Sequence, residues 1–224
     1  MADLFRFSQP FQAFLFDMDG TILTSIPAVV RAWTAWSNRV GVDVEAVMHY
    51  LHGRPARDTI RQFAPPGCDI AAELAWLDAF ELQDVDGIVA IPGAAALLTR
   101  LPRHRWAVVT SANRALATMR IAAAGLPMPD LLISADDVTR GKPDPQGFAM
   151  AARHLGFAAS DCLVFEDTQA GLTAGRAAGA GVLRLAGVAD QADTESPWIT
   201  DYTGVTVEIT DAGLSVGGAI TAPA

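Results

Sequence analysis

Cysteine and long apolar stretches are scarce in this 224-residue chain. Its two cysteines, Cys68 and Cys162, lie far apart and form no CxxC pair, which argues against a disulfide framework or a zinc site and favours a reducing compartment. The apolar stretch from Ile88 to Leu98 is interrupted by Pro92 and is shorter than the ~20 residues of a membrane-spanning helix. We therefore expect a soluble, cytoplasmic protein that does not enter a membrane.

Positive charge is also in short supply. Lysine and arginine number 16 against 25 aspartates and glutamates, for a net charge of −9. A basic surface is the main source of affinity for nucleic acids, so we expect no nucleic-acid partner. Charged residues make up only 18% of the chain and hydrophobic ones 51%, which excludes a disordered protein and predicts a real core.

Lysine is nearly absent, because Lys142 alone accompanies 15 arginines. An ammonium on a flexible stem differs chemically from a planar guanidinium. A single lysine in an arginine-rich sequence therefore indicates a site that needs the amine.

Short apolar runs alternate with segments of helical periodicity along most of the chain, which predicts a doubly wound α/β fold with a Rossmann-like parallel sheet. The predicted strands are residues 14–16, 106–109, 131–133, 163–165 and 182–185, and the predicted helices are residues 94–101, 115–124, 146–155 and 170–178. A further strand is predicted at residues 205–209, followed by a frayed end.

The alternation breaks between about residues 25 and 88, where the patterns are helical only. Ser25, Asp43 and Asp69 each precede such a pattern as predicted N-caps. We therefore expect an all-helical cap at residues 24–88, inserted through a two-strand hinge into an α/β core of residues 1–23 and 89–224.

Polar residues follow each of the first four predicted strands. They are Asp17 and Asp19, Thr110 and Ser111, Asp136 with the later Lys142, and Glu166 with Asp167. Ligands of open α/β sheets bind at the carboxyl ends of the strands. The sequence therefore predicts one crevice that holds several carboxylates, two hydroxyls and the lone lysine.

Taken in order, these motifs resemble those of the haloacid dehalogenase superfamily. The resemblance rests on residues 17–21, 109–111, 141–145 and 165–168, each after a predicted strand, and spans about residues 14–185. The helical insertion after the first motif is similar to the C1 cap of that family. Among its members, the chain is most similar to small sugar-phosphate and polyol-phosphate phosphatases.

Asp17 and Asp19 are two residues apart at a strand end, so their side chains leave the same face of the pleat. One can attack a phosphate ester while the other transfers protons, which suggests covalent catalysis through an aspartyl-phosphate at Asp17. A cation must offset the repulsion between two anions, and Mg²⁺ prefers oxygen ligands. We expect Asp17, the main-chain carbonyl of Asp19, and Asp167 to hold it.

The resemblance implies roles for the remaining residues. Lys142 would bind a phosphate oxygen and neutralise Asp17, and Glu166 would support the metal site from behind, with direct ligation left open. The Thr110 hydroxyl and the Ser111 amide, aided by Asn113, would bind other phosphate oxygens. The implied partner is a small phosphorylated metabolite, and we expect a monomer or weak dimer.

Substrate specificity is read from the cap segment at residues 52–58, which is similar to the substrate loop of the sugar phosphatases. Arg54 and Arg57 are possible specificity residues there, and a solvated turn is the alternative. Among reactions, a phosphomutase of the β-phosphoglucomutase type shares all four motifs. Such mutases resemble one another in a histidine twelve residues after the nucleophile, where this chain has Val29.

Four other interpretations compete with this one. Thr110 could be an ordinary helix N-cap, and Glu166 and Asp167 could be solvated loop acids. A haloacid dehalogenase is disfavoured because Asp19 suits a leaving group that needs a proton. A receiver-type signalling domain is disfavoured because such domains carry no helical insertion after the first strand.

Overall fold

The computed structural model describes residues 4–51, 54–186 and 196–219. The strands are β1 (Leu4–Arg6), β2 (Ala13–Phe16), β3 (Leu23–Thr24), β4 (Val89–Ala90), β5 (Trp106–Val109), β6 (Leu132–Ile133), β7 (Cys162–Glu166), β8 (Gly181–Leu185), β9 (Trp198–Ile199), β10 (Val205–Thr210) and β11 (Gly213–Ala219). The helices are α1 (Ile26–Val40), α2 (Val44–Tyr50), α3 (Ala56–Phe63), α4 (Ile70–Glu81), α5 (Ala94–Arg100), α6 (Arg114–Ala123), α7 (Gln146–Leu155) and α8 (Gln169–Ala177).

A six-stranded parallel sheet forms the centre of the fold, in the order β6-β5-β2-β7-β8-β9. Helices α5 and α6 contribute buried residues to one face, and α7 and α8 contribute to the other. Strands buried on both faces are expected to be largely apolar. The charged residues in these strands are Glu166 at the end of β7 and Arg184 in β8. The predicted doubly wound α/β fold is therefore confirmed.

Strand β2 contributes side chains to the hydrophobic clusters on both faces of the central sheet. Its four residues are all completely buried, and successive side chains alternate between the two faces. Phe14 and Phe16 enter one hydrophobic cluster, whereas Ala13 and Leu15 enter the other. Phe16 stacks on Phe165 of the adjacent strand with ring centroids 4.5 Å apart. This packing fixes the position of the loop that begins at residue 17.

Helices α1 to α4 carry a hydrophobic cluster of their own, which includes Trp33, Trp36, Ile60 and Leu77. The chain passes from the core to these helices through β3 and returns to the core through β4, and the two strands pair antiparallel. The longest helix in the described ranges has 15 residues, and no described helix is long and apolar enough to cross a membrane.

All three predicted N-caps in this insertion occupy the position directly before a helix. Asp43 accepts hydrogen bonds from the amides of Glu45 and Ala46, and Asp69 caps α4 in the same way. Ser25 is the N-cap residue of α1, but its side chain makes no cap hydrogen bond. Its hydroxyl instead donates to Asp19, which lies in the loop after β2.

The C-terminal region contains more structure than the sequence suggested. Strand β11 pairs antiparallel with both β10 and β1, so the prediction of a frayed end is wrong up to residue 219. Gly213 begins β11 at φ +143°, where an added Cβ would come too close to the Phe11 carbonyl oxygen. Leu214 and Val216 are buried in the same cluster as Phe14. The chain ends therefore close one side of the core.

Candidate active site

Most of the sequence-predicted site residues meet at the carboxyl ends of four neighbouring strands. Residues 17 and 19 follow β2, residues 110 and 111 follow β5, the loop with Lys142 follows β6, and residues 166 and 167 end or follow β7. A cavity of about 470 Å³ lies over part of this edge. Its lining includes Thr110, Ser111 and Lys142 from the core, and residues of α3 and α4 from the insertion. The predicted crevice is therefore covered by helices.

Lys142 lies between two carboxylates. Its ammonium donates a very short hydrogen bond to Oδ1 of Asp17 and another of 2.6 Å to Oε1 of Glu166. Burial opposes its charge, but the two carboxylates outweigh burial and raise its pKa above the usual range. Lys142 therefore stays charged beside Asp17.

Asp17 is buried next to other acids. Burial is the main cause that raises its pKa to about 7, and the charges of Glu166 and Asp19 add to the increase while Lys142 opposes it. The amide of Asp17 donates to the Phe165 carbonyl at 2.9 Å, which holds the residue against β7. The main chain of Asp17 is thus held against β7, and Lys142 offsets only part of the cost of burying its negative charge.

Asp17, Glu166 and Asp167 form an acidic cluster in which one oxygen of each lies within 4.8 Å of the others. Burial, followed by the charges of Glu166 and Asp17, raises the pKa of Asp167 well above its usual value. Three carboxylates face one ammonium, so two negative charges remain when all are ionised. Oxygen ligands with this excess of charge fit a divalent cation.

The two oxygens of Glu166 already have protein partners. Oε1 accepts from Lys142, and Oε2 accepts from the amide of Thr168 at 2.8 Å and from its hydroxyl at 3.0 Å. Asp167 accepts a longer bond of 3.3 Å from the hydroxyl of Thr21, and a main-chain hydrogen bond at Asp167 itself lowers its pKa slightly against the larger raising causes. Of these two acids, Asp167 is the freer to bind a cation, which agrees with the supporting role expected for Glu166.

Two glycines leave room for the acidic cluster. Gly20 has φ +84°, and a Cβ there would clash with the carboxylate of Asp167. A Cβ at Gly171, in the first turn of α8, would clash with the carboxylate of Glu166. Both positions require the absence of a side chain, so the loop after β2 and helix α8 approach the acids closely.

Asp19 is held by one residue on each oxygen. Oδ1 accepts a 2.5 Å hydrogen bond from the Ser25 hydroxyl, and Oδ2 accepts a 3.0 Å bond from Nη1 of Arg120. Arg120 lies on α6, is 4% exposed, and donates through Nη2 to Glu81 of α4 at 2.8 Å. Burial is the main cause that raises the pKa of Glu81 to about 7.

The residues after β5 differ in their surroundings. The Thr110 hydroxyl accepts from the Ala112 amide at 3.1 Å, and both Thr110 and Ser111 line the cavity. Thr110 does not cap α6, because Asn113 does so by accepting from the Leu116 amide. The amide group of Asn113 also donates to Asp78 of α4 at 2.9 Å. Asn113 thus lines the cavity but already has two protein partners.

The two candidate specificity arginines separate in space. Arg57 lines the cavity, whereas the guanidinium of Arg54 lies 4.5 Å from the ring centroid of Tyr50 and is not among the lining residues. His52 and Gly53, also in the predicted substrate segment, lie outside the described residues. Sequence reasoning missed four charged residues that also line the cavity, namely Arg61, Asp78, Glu81 and Arg140.

The contact between Arg120 and Asp19 was missed as well, although the sequence contains a sign of it. The buried residues of α6 are Leu116, Ala117, Arg120 and Ile121, which places an arginine within an apolar stripe. A buried arginine requires an acidic partner. No comparable sign marks Glu81, because α4 carries acids on more than one side.

Comparisons with known proteins identify the family of this chain. Residues 11–179 match the family described as haloacid dehalogenase-like hydrolases, and the chain belongs to this family. Hexitol phosphatase A of Escherichia coli strain K12 is 42% identical over 80% of this chain and 85% of its own length. Glycerol-1-phosphate phosphohydrolase 1 of Saccharomyces cerevisiae is 35% identical over 78% of this chain and 74% of its own.

A solved structure shares the fold. CbbY from Rhodobacter sphaeroides in complex with phosphate covers 86% of this chain and 95% of its own length, with a TM-score of 0.76 and 23% identity. The superfamily identified from the four motifs, and the similarity to sugar-phosphate and polyol-phosphate phosphatases, are therefore confirmed.

Proposed function

We propose that this protein is a Mg²⁺-dependent phosphatase that hydrolyses a small phosphorylated sugar or polyol through an aspartyl-phosphate. The observation that carries the proposal is the buried contact of Asp17 with Lys142, beside Glu166 and Asp167, and Lys142 also lines the helix-covered cavity. The names of the bacterial and yeast relatives support a phosphate monoester as substrate.

The proposed reaction has two displacements. A carboxylate oxygen of Asp17 attacks phosphorus, and the bond from phosphorus to the ester oxygen breaks. Asp19, which begins the reaction as the carboxylic acid, gives its proton to the departing alkoxide. Asp19 then takes a proton from water, whose oxygen attacks the same phosphorus and breaks its bond to Asp17. Inorganic phosphate and the free enzyme result, and both carboxylates return to their starting states.

The other residues bind and neutralise the phosphoryl group. Lys142 would contact one phosphate oxygen, and the Thr110 hydroxyl and the Ser111 amide would contact others, with Asn113 at the edge of the set.

A cation site completes the proposal. Asp17, the Asp19 carbonyl and Asp167 would hold Mg²⁺, with Glu166 supporting from behind. Bound there, the ion would offset the negative charge shared by phosphate and Asp17.

The proposed domain division follows the hydrophobic clusters. Residues 1–23 and 89–224 would form the α/β core, and residues 24–88 the C1 cap, because helices α1 to α4 pack around their own cluster. Arg57 in the cap would contact the substrate beyond its phosphate, and Arg54 would have only an indirect effect through Tyr50. A cytoplasmic monomer or weak dimer remains our expectation.

Phosphate release from a panel of sugar, polyol and nucleotide monophosphates, with and without Mg²⁺, tests the proposal. We expect metal-dependent release from a few sugar or polyol phosphates, and a loss of at least about 10³-fold in Asp17→Asn with the fold intact. Full activity of that variant would contradict the proposal. Isomerisation of a sugar phosphate without phosphate release would indicate the phosphomutase instead.

A further inference from the structure

The carboxylate of Asp19 is held from two directions. Ser25, next to the hinge strand β3, binds Oδ1, and Arg120 on α6 binds Oδ2. Each carboxylate oxygen can accept a further hydrogen bond. These contacts therefore orient Asp19 and still leave its oxygens able to interact with a substrate. Asp19 lies two residues after Asp17 in the loop that follows β2, and its charge contributes to the raised pKa of Asp17.

Arg120 connects this carboxylate to the helical insertion. Its Nη1 donates to Asp19 of the core, and its Nη2 donates to Glu81 at the end of α4. The side chains of Arg120 and Glu81 are 5% and 6% exposed, so solvent screens this ion pair very little. A guanidinium can bind both acids at once because its planar donors point in fixed directions, which a lysine could not reproduce.

A second contact joins the same two helices. Asp78, one turn before Glu81 on α4, accepts a hydrogen bond of 2.9 Å from Asn113 at the start of α6. Helix α4 therefore contacts α6 through two polar pairs on one side. When α4 moves away from α6, Arg120 loses one of its two acids and becomes free to reorient.

We propose that Arg120 is a positioning residue, which sets the orientation of Asp19 and makes it depend on contact of the cap with the core through Glu81. The inference rests on the proposed function, in which Asp19 gives the proton to the leaving alkoxide. It adds a residue that touches neither the phosphate nor the cation in that scheme, and acts through Asp19 alone.

The leaving group provides the test. An alkoxide needs a proton from Asp19, whereas p-nitrophenolate departs without one. We expect Arg120→Gln to slow the first-turnover release of alcohol from an alkyl phosphate such as glycerol 1-phosphate. The decrease should be about 10²-fold, which is the size of a general-acid contribution, and KM should change little. First-turnover release of p-nitrophenolate from p-nitrophenyl phosphate should change by less than about threefold. Arg120→Lys should recover only part of the loss.

A matched control comes from the cap itself. Arg39 of α1 also binds a glutamate of α4, Glu73, but contacts no residue of the proposed site. Arg39→Gln should leave the ratio of the alkyl rate to the aryl rate unchanged. Equal slowing of both substrates by Arg120→Gln would overturn the inference and leave Arg120 a structural residue.

Glu81→Gln covers the case in which Arg120→Gln does not fold. This variant keeps an acceptor for Arg120 and removes the charge, so we expect a smaller decrease in the same ratio. An unchanged ratio in folded Glu81→Gln would overturn the dependence on the cap. A wild-type enzyme that releases phosphate from neither ester would instead contradict the proposed function, so the two failures are distinguishable.

Discussion

Single residues decide the electrostatics of this site. Lys142 contacts Asp17 and Glu166 while 7% of its side chain is exposed. Removing it would leave buried carboxylates without a counterion, which is more costly than losing an exposed charge. Its neighbour Asp167 has a different role, because it adds negative charge that no protein group compensates fully.

We expect Asp167→Asn to remove Mg²⁺ binding. Calorimetry of the wild type should show a rise in unfolding free energy of about 2.7 kcal/mol when Mg²⁺ is about a hundredfold above its Kd, and the variant should show almost none. Without metal, the variant should be the more stable protein, because a like charge beside Asp17 and Glu166 is gone. Asp130→Asn, at an exposed pair with Arg103, serves as the control. An equal metal response in Asp167→Asn would contradict the proposed site.

At the scale of elements, polar contacts join the helices of the insertion. Glu73 of α4 accepts hydrogen bonds from the indole of Trp36 and the guanidinium of Arg39, both on α1. The bond with Arg39 is the main cause that lowers the pKa of Glu73. This buried acid therefore stabilises the packing of α1 against α4 in its ionised form.

We expect Glu73→Gln to lower the free energy of unfolding by about 1–3 kcal/mol at neutral pH. A lowered pKa in the folded state gives stability that is present above the ordinary value of 4.5 and lost as pH falls below it. The difference between wild type and variant should therefore shrink in acid, as urea unfolding at several pH values would show. Glu45→Gln, at an exposed position of α2, should change stability by less than about 0.5 kcal/mol at any of them. A difference that is independent of pH would exclude this ionic contribution.

At the scale of the whole molecule, the two ends of the chain complete the core. Strands β1, β11 and β10 form an antiparallel sheet, and Leu214 of β11 is completely buried with residues of the central sheet. Tyr202, just before this sheet, donates to the Thr21 carbonyl at 3.0 Å. The C-terminal region is therefore tied to the loop that carries Asp19.

We expect Leu214→Ala to lower the free energy of unfolding by about 2–5 kcal/mol, because it opens a cavity in the core. Its register partner Ile209 is 41% exposed, so Ile209→Ala should cost far less. Denaturant unfolding of both variants checks this difference. Equal, small losses would mean that the C-terminal sheet is not part of the core.

Patterns local to the chain were enough for much of the fold. Apolar runs predicted five of the six strands of the central sheet, and Ser25, Asp43 and Asp69 each marked a helix start correctly. Strands β1, β9 and β11 were missed because they are short or rich in glycine and gain their stability from partners distant in sequence. The position of Ser25 before α1 was predicted correctly, but its hydroxyl binds Asp19, a partner in the loop after β2, rather than the first turn of the helix.

The sequence by itself determined the fold class, the family and the set of acids, hydroxyls and lone lysine, because each depends on residue type and local spacing. The tertiary structure alone decided which groups pair with them. Arg120 binds both Asp19 and Glu81 in the folded protein. Asn113 donates a hydrogen bond to Asp78. Arg57 lines the cavity, whereas Arg54 lies over the ring of Tyr50. Such choices depend on how the helices of the insertion pack on the core, and that packing brings together residues that no local pattern connects.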